Sequence, residues 1–262
     1  QMRYYLDRVF SKTPTQHVTV LAHEPGGLGA QLSHPDDRLL IITAAIPTAH
    51  LGRVRAFCKS GHSVLLVLKD DSLSGTLTAL ATSGPVPLGE AKVDKYSLLA
   101  QLDFEHPLLA PFNEPRFSDF TKIHFWKHRT IDSGRLVGSR VPVRFDDGSP
   151  ALIDLPIGRG HLLVLTAGWH PADSQLALSS KFVPLLYSMM ELGRVSSPLK
   201  AANLVGRPIA LPRENTAVQE VEGPAGTIRL PEGARQGSGV VVGEGRGTLD
   251  IVTTAGSVVV EQ

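Results

Sequence analysis

Cysteine, an excess of charge of either sign and long apolar runs are all scarce in this sequence, and each shortage excludes a class of protein. One cysteine, Cys58, among 262 residues leaves no partner for an internal disulfide and rules out a cysteine-rich zinc site. Twenty-six basic residues against 25 acidic ones give a formal net charge of +1. With no blocks of like charge, neither a nucleic-acid arm nor a polybasic membrane patch is expected. No apolar run reaches the roughly 18 residues of a membrane helix, and no charged n-region precedes an h-region and cleavage site. Gln1-Met2 runs directly into the helix-like Arg3-Tyr4-Tyr5-Leu6-Asp7-Arg8-Val9-Phe10. That start reads as the edge of an excised fragment, with membrane or targeting segments expected in sequence outside it.

What is present is enough to fold. The chain is 42% hydrophobic and 19% charged, too apolar for disorder, and a chain of this length buries roughly 70% of its extended surface. The composition is uneven. All 15 aromatic residues and all 10 histidines precede residue 201, whereas residues 201–262 hold 10 of the 25 glycines and no Phe, Trp or Tyr. This asymmetry sets a boundary near Pro198, with an α/β domain over 1–198 and a small β domain over 199–262.

In the first part, the opening helix should end before Pro14. His17-Val18-Thr19-Val20-Leu21-Ala22 then reads as a buried strand. Gly26-Gly27-Leu28-Gly29 is a loop, and Arg38-Leu39-Leu40-Ile41-Ile42-Thr43-Ala44 a second run of strand length. Pro47 and Gly61 punctuate a helix through Leu51, Val54, Phe57 and Cys58. His62-Ser63-Val64-Leu65-Leu66-Val67-Leu68 is a third strand, and Asp70-Asp71-Ser72 opens a short helix running to about Thr82. Strands apolar on both faces, alternating with helices, predict a parallel sheet covered on both sides. Further on, residues 96–103, 121–131, 136–145, 151–155 and 161–166 are strand-like. Asp146-Asp147-Gly148 between alternating runs signals a hairpin, and Gly158-Arg159-Gly160 marks a second turn. Asp173 or Ser174 is a candidate cap for a helix with Phe182, Leu185, Leu186 and Met189 on its core face. Because Pro184 belongs in a first turn, the regular helix should start near Ser180. In the tail, Thr227-Ile228-Arg229-Leu230, Gly239-Val240-Val241-Val242 and Ser257-Val258-Val259-Val260 predict a small antiparallel β unit with a thin core.

Three segments carry a resemblance: Asp146-Asp147-Gly148-Ser149-Pro150-Ala151-Leu152-Ile153, the run from Ile157-Gly158-Arg159-Gly160-His161 to Thr166, and Ser180-Lys181-Phe182-Val183-Pro184-Leu185-Leu186. They resemble a stretch of large bacterial membrane proteins with a BatA-type (aerotolerance-regulator) N-terminal region. There the stretch belongs to a class I glutamine amidotransferase-like domain, followed by a β segment and, in many members, a final transmembrane helix. The resemblance covers about residues 143–190. It implies a flavodoxin-like three-layer α/β sandwich in the soluble, extracytoplasmic part of a membrane-anchored envelope protein. Contact with the membrane would come only through segments absent from this chain.

Class I amidotransferase chemistry needs a cysteine thiolate on a strand-to-helix elbow, a histidine to activate it and a carboxylate to orient the histidine. The candidate elbow after the strand at 62–68 reads Lys69-Asp70-Asp71-Ser72-Leu73, without cysteine or flanking glycines. Cys58 belongs to the preceding helix as a small buried hydrophobe. Trp169-His170-Pro171-Ala172 echoes the His-Pro-Glu motif, with alanine at the glutamate position. Two of three triad positions are unmatched.

Other chemistry is equally incomplete. Ser72 with His170 lacks the Gly-x-Ser-x-Gly elbow of hydrolases. His124 and His128 have metal-ligand spacing on a helix, but around Ile123 and Phe125 they read with Trp126 as the outer face of a strand. Gly27-Leu28-Gly29 and Gly158-Arg159-Gly160 lack the third glycine of a dinucleotide fingerprint. Asp36-Asp37, Asp70-Asp71 and Asp146-Asp147 are turn or cap pairs. The sequence therefore reads as a non-catalytic interaction or scaffolding module without cofactor or metal, its protein partners unspecified. The alternative is a hydrolase or amidotransferase-type enzyme working in the crevice at the carboxyl ends of the parallel strands. Ser72, Asp71 and His170 are its catalytic candidates, with Glu24 and Asp70 close by.

Overall fold

The computed structural model describes residues 2–10, 18–28, 37–81 and 84–192, together with the backbone of five strands beyond residue 217. The chain divides into two compact units, Gln1–Gly193 and Arg194–Gln262. The expected boundary at Pro198, like Pro14, Gly29, Asp36 and Thr82, lies outside the described residues.

In chain order, the first unit comprises α1 (Met2–Val9), β1 (Leu39–Ile42), α2 (Thr48–Lys59), β2 (Ser63–Val67), α3 (Ser74–Ala81), β3 (Leu88–Glu90), β4 (Leu99–Leu102), β5 (Arg129–Ile131), β6 (Arg140–Phe145), β7 (Pro150–Ile157), β8 (Gly160–Leu165) and α4 (Phe182–Glu191). Six strands form one sheet in the order β1-β2-β8-β7-β6-β4. β1, β2 and β8 are parallel neighbours, whereas β7, β6 and β4 continue the sheet antiparallel. The unit is thus α/β with a mixed sheet, parallel in one half only. The reason is local. β6, β7 and β8 succeed one another through the tight turns at Gly148 (φ +83°) and Gly158 (φ +67°), and such short connections pair strands antiparallel.

The central strands are buried on both faces, so alternate residues feed two cores. Leu65, Val67, Leu163 and Leu165 pack with Leu6 of α1 and Phe182, Leu185, Leu186 and Met189 of α4. Val64, Leu66, Leu162 and Val164 pack with Val54, Phe57 and Cys58 of α2 and Leu73, Leu77 and Leu80 beside and within α3. The spacings 54, 57, 58 and 182, 185, 186, 189 are helical core stripes. Pro184 sits in the first turn of α4, where its missing N–H costs nothing.

Three expectations need correction. The run Val18-Thr19-Val20-Leu21-Ala22 is not a strand. Val20 packs on the core but Leu21 is 66% exposed, and β-propensity is decided by packing and burial more than by residue type. Within 121–131 only β5 is a strand, and the alternation fails before it. The amides of Trp126 and Lys127 both donate to the Asp173 carbonyl, at 2.8 and 3.2 Å. This bulge-like irregularity turns His128 inward, where it is 1% exposed and stacks on Phe145 with ring centroids 4.0 Å apart. His124, Trp126 and His128 therefore do not share a face.

The third correction concerns the second unit, which has β9 (Val218–Gly223), β10 (Gly226–Arg229), β11 (Gly239–Val242), β12 (Asp250–Thr253) and β13 (Val258–Glu261). β10, β9 and β12 pair antiparallel as anticipated, but β11 and β13 pair in parallel. The segment between them, carrying β12, is long enough for the crossover that parallel pairing requires.

Candidate functional site

The parallel strands end together, and the connections leaving them diverge. The chain leaving β1 and β2 passes to α2 and α3 on one face, and the chain leaving β8 passes to α4 on the other. Divergence of this kind leaves a crevice at the carboxyl ends of the strands. A cavity of about 360 Å³ lies there, lined by Met2, Arg3, Thr43, Lys69, His170 and Asp173.

Each lining residue has a local reason to be there. Thr43 is the first residue past β1. Lys69 sits on a tight turn closed by its own N–H on the Val67 carbonyl at 2.9 Å. Its carbonyl accepts from Arg129 Nη2 at 3.1 Å, and the same guanidinium holds Asp71 at 3.0 Å and Glu90 at 2.9 Å. His170 and Asp173 lie in a turn after β8, where the His170 carbonyl accepts the Asp173 N–H at 2.7 Å. The Asp173 carboxylate stands close over Gly168, where a Cβ would come within 2.6 Å of it. Met2 and Arg3 arrive through Trp169, fully buried, whose indole N–H donates to the Met2 carbonyl at 3.1 Å. The His170 ring accepts the Ala172 N–H on Nδ1 at 3.0 Å. That bond leaves Nε2 as the protonated nitrogen of the neutral ring.

The structure separates the sequence candidates. His170 lines the crevice; Ser72, Asp71, Asp70 and Glu24 are not among its lining residues. The Ser72 hydroxyl donates to Asp70 Oδ1, and the Ser72 N–H donates to the same oxygen at 3.1 Å. These bonds, led by that from the hydroxyl, hold the Asp70 carboxyl below its ordinary range and make Asp70 the cap of the turn Asp71–Leu73. Asp71 is committed to Arg129, and neither it nor Ser72 is hydrogen-bonded to His170. Glu24 is an exposed residue flanking the turn Pro25–Gly27. Cys58 is 2% exposed on α2, and burial pushes its thiol up to about 12, the opposite of an activated nucleophile.

Thr43 and Lys69 are missed by motif reading although a positional signal exists, since Thr43 directly follows β1 and Lys69 is the second residue past β2. Arg3 has no such signal, because nothing local shows where an N-terminal helix docks.

Two other histidine clusters are not among the crevice's lining residues. At the opposite end of β8, Asp154 accepts from His106 Nε2 at 3.1 Å and from His161 Nδ1 at 2.8 Å. Burial pushes the Asp154 pKa up, but these bonds outweigh it and hold the carboxyl below its usual range. The other cluster joins Ser97, His128 and Asp147. Ser97 Oγ and Asp147 Oδ2 both approach His128 Nε2, at 3.2 and 3.8 Å, whereas a catalytic triad engages the two ring nitrogens separately. Among the described residues no group of three or more His, Cys, Asp or Glu is arranged to hold a metal ion.

A scan against protein-family models and a search of curated proteins give no match. Among solved structures, the chain is similar to a cytoplasmic protein of Salmonella typhimurium at 14% identity, over 59% of this chain and 70% of that one, with a TM-score of 0.46. It is also similar to a second cytoplasmic protein, from Salmonella typhimurium LT2, at 13% identity over 60% and 72% of the two chains, with a TM-score of 0.44. A β-galactosidase of Bacillus circulans sp. alkalophilus matches at 9% identity over 84% of this chain and 32% of that one, with a TM-score of 0.41.

Proposed function

We propose that this chain is a non-catalytic, class I amidotransferase-like module with a flavodoxin-like sandwich as its first unit. It serves interaction or scaffolding in a bacterial membrane-anchored protein, on the extracytoplasmic side. One observation carries the loss of catalysis: the crevice that holds His170 holds no thiol. The only cysteine is packed between α2 and the sheet, outside the crevice lining, with its pKa raised to about 12, and the elbow hydroxyl, Ser72, is tied to Asp70. Thiolate attack needs a nucleophile within reach of its base. Extracytoplasmic placement rests on the resemblance of residues 143–190 alone.

The purified protein incubated with glutamine, glutamate esters or p-nitrophenyl acetate should release no product above buffer. Turnover that disappears in His170→Ala would overturn the reading. Placement is tested separately: a tag on this region of the full-length protein should be digested by protease added to spheroplasts. A protected tag would move the module to the other side of the membrane.

A further inference from the structure

We infer that the crevice at the carboxyl ends of β1, β2 and β8 is a binding site for a small oxyanion-bearing molecule, a carboxylate or a phosphoester. The site goes beyond the non-catalytic reading and does not depend on it. Its volume, about 360 Å³, falls within the roughly 300–1,000 Å³ of small-molecule sites, and it stands where adjacent parallel strands send their connections to opposite faces.

The lining is rich in donors. Arg3, Lys69, the Thr43 hydroxyl and the Nε2–H of His170 come from four separate segments, against one carboxylate, Asp173. Neither cation is consumed by a strong partner. Arg3 Nε stands 3.6 Å from Asp7 and Lys69 Nζ 3.5 Å from Asp70, both in solvent-exposed pairs, and such pairs hold their partners weakly. A bound oxyanion can therefore recruit both cations through charge-assisted hydrogen bonds.

The framework around these donors is already ordered before any ligand arrives. Trp169 pins the start of α1, the buried Arg129 fixes the Lys69 backbone, and the Ala172 amide sets the His170 tautomer. Pre-organisation lowers the cost of binding. Asp173 takes part in no ion pair or side-chain hydrogen bond within the described residues and stands against the Gly168 backbone. It is positioned to accept from a hydroxyl or amine beside the anionic group, which favours a sugar phosphate or hydroxy acid over a bare ion.

The full chain would be titrated with inorganic phosphate, glucose 6-phosphate, acetate and gluconate while backbone amide resonances are monitored. Saturable shifts at Thr43, Lys69 and residues 168–173 are expected, with a Kd of about 1 mM or tighter for at least one ligand that carries hydroxyls. Lys69→Ala and Arg3→Ala should each weaken it about tenfold or more, and Lys122→Ala, an exposed lysine outside the crevice, should not. Stronger response to glucose 6-phosphate identifies a phosphoester, and stronger response to gluconate a carboxylate. No saturable shift with any of the four, or equal weakening by Lys122→Ala, overturns the site. Turnover of a bound ligand would sink the non-catalytic reading while leaving the site standing.

Discussion

The two ends of β8 carry the same residue types and put them to opposite use. Past its carboxyl end, His170 and Asp173 face an open crevice with Arg3 and Lys69. At its amino end, the buried Asp154, 2% exposed, accepts from the buried His106 and the half-buried His161. A histidine beside a carboxylate therefore says little by itself. A cluster whose donors and acceptors are all internally matched is fastening, while one with exposed, weakly paired donors around a cavity has capacity left for a ligand.

The largest expected effect belongs to the closed end. Asp154→Ala strands the His106 Nε2–H in a buried site and should cost about 3 kcal/mol, read from urea unfolding. A change under about 1 kcal/mol would show that the two histidines find other partners and that the cluster is no fastening. The sign of its pH dependence is fixed as well. Because the folded-state pKa of Asp154 is depressed, its contribution is present above the unfolded carboxylate value and is lost as pH falls through the folded one.

The next effect tests how tightly that end is closed. A Cβ at Gly160 would overlap the Cys58 and His62 carbonyl oxygens, and one at Gly158 would meet the Lys59 backbone. The turn between them seals the end of α2, with the Arg159 N–H on the Lys59 carbonyl at 3.3 Å and Arg159 Nη2 on the Ser60 carbonyl at 2.9 Å. Gly160→Ala should destabilise by about 2 to 3 kcal/mol, whereas Gly75→Ala, in open space on α3, should be neutral or stabilising. Equal effects at the two positions would refute the close-packing account of the Gly158-Arg159-Gly160 motif.

Most of this architecture was legible because periodicity and punctuation encode it. The stripe Val54, Phe57, Cys58, the Asp-Gly hairpin and the both-face burial of β2 and β8 all arise from local pattern. Departures arose where a distant group decided the matter. The Asp173 carbonyl, taking two consecutive amides, reversed the facing of His128. The site was half legible: the rule that ligands bind past parallel strands located the crevice and His170. The elbow candidates Asp71 and Ser72 were diverted, because Arg129 and Asp70 lie near enough to claim them.

His128 supplies a third, smaller effect. Burial lowers its pKa below 6.5 although Asp147 opposes the shift. The unfolded chain therefore takes up a proton at a pH where the folded one does not. Stability contributed by His128 should be full above about pH 6.5 and decline as pH falls from there to the folded-state pKa. In thermal melts between pH 7.5 and 5, the parent protein should lose more stability than His128→Gln. Parallel curves would mean that His128 takes up its proton over the same pH range folded and unfolded, so that Asp147 balances burial, and a smaller loss in the parent than in His128→Gln would mean that Asp147 outweighs it.

The smallest effect gives the sharpest contrast. Histidine to alanine at two positions removes the same atoms but should have unequal consequences. His106→Ala opens a buried site and deprives Asp154 of a donor and the Leu108 N–H of its acceptor, which should cost about 2 kcal/mol. His170→Ala removes a half-buried ring whose hydrogen-bond partner, the Ala172 N–H, can turn to water in the crevice, so its cost should stay within about 0.5 kcal/mol. Matched urea titrations read the difference directly. If His170→Ala proves as damaging as His106→Ala, His170 is a structural strut of the turn after β8, and the division between a closed, self-satisfied end and an open, ligand-ready one fails at its central residue.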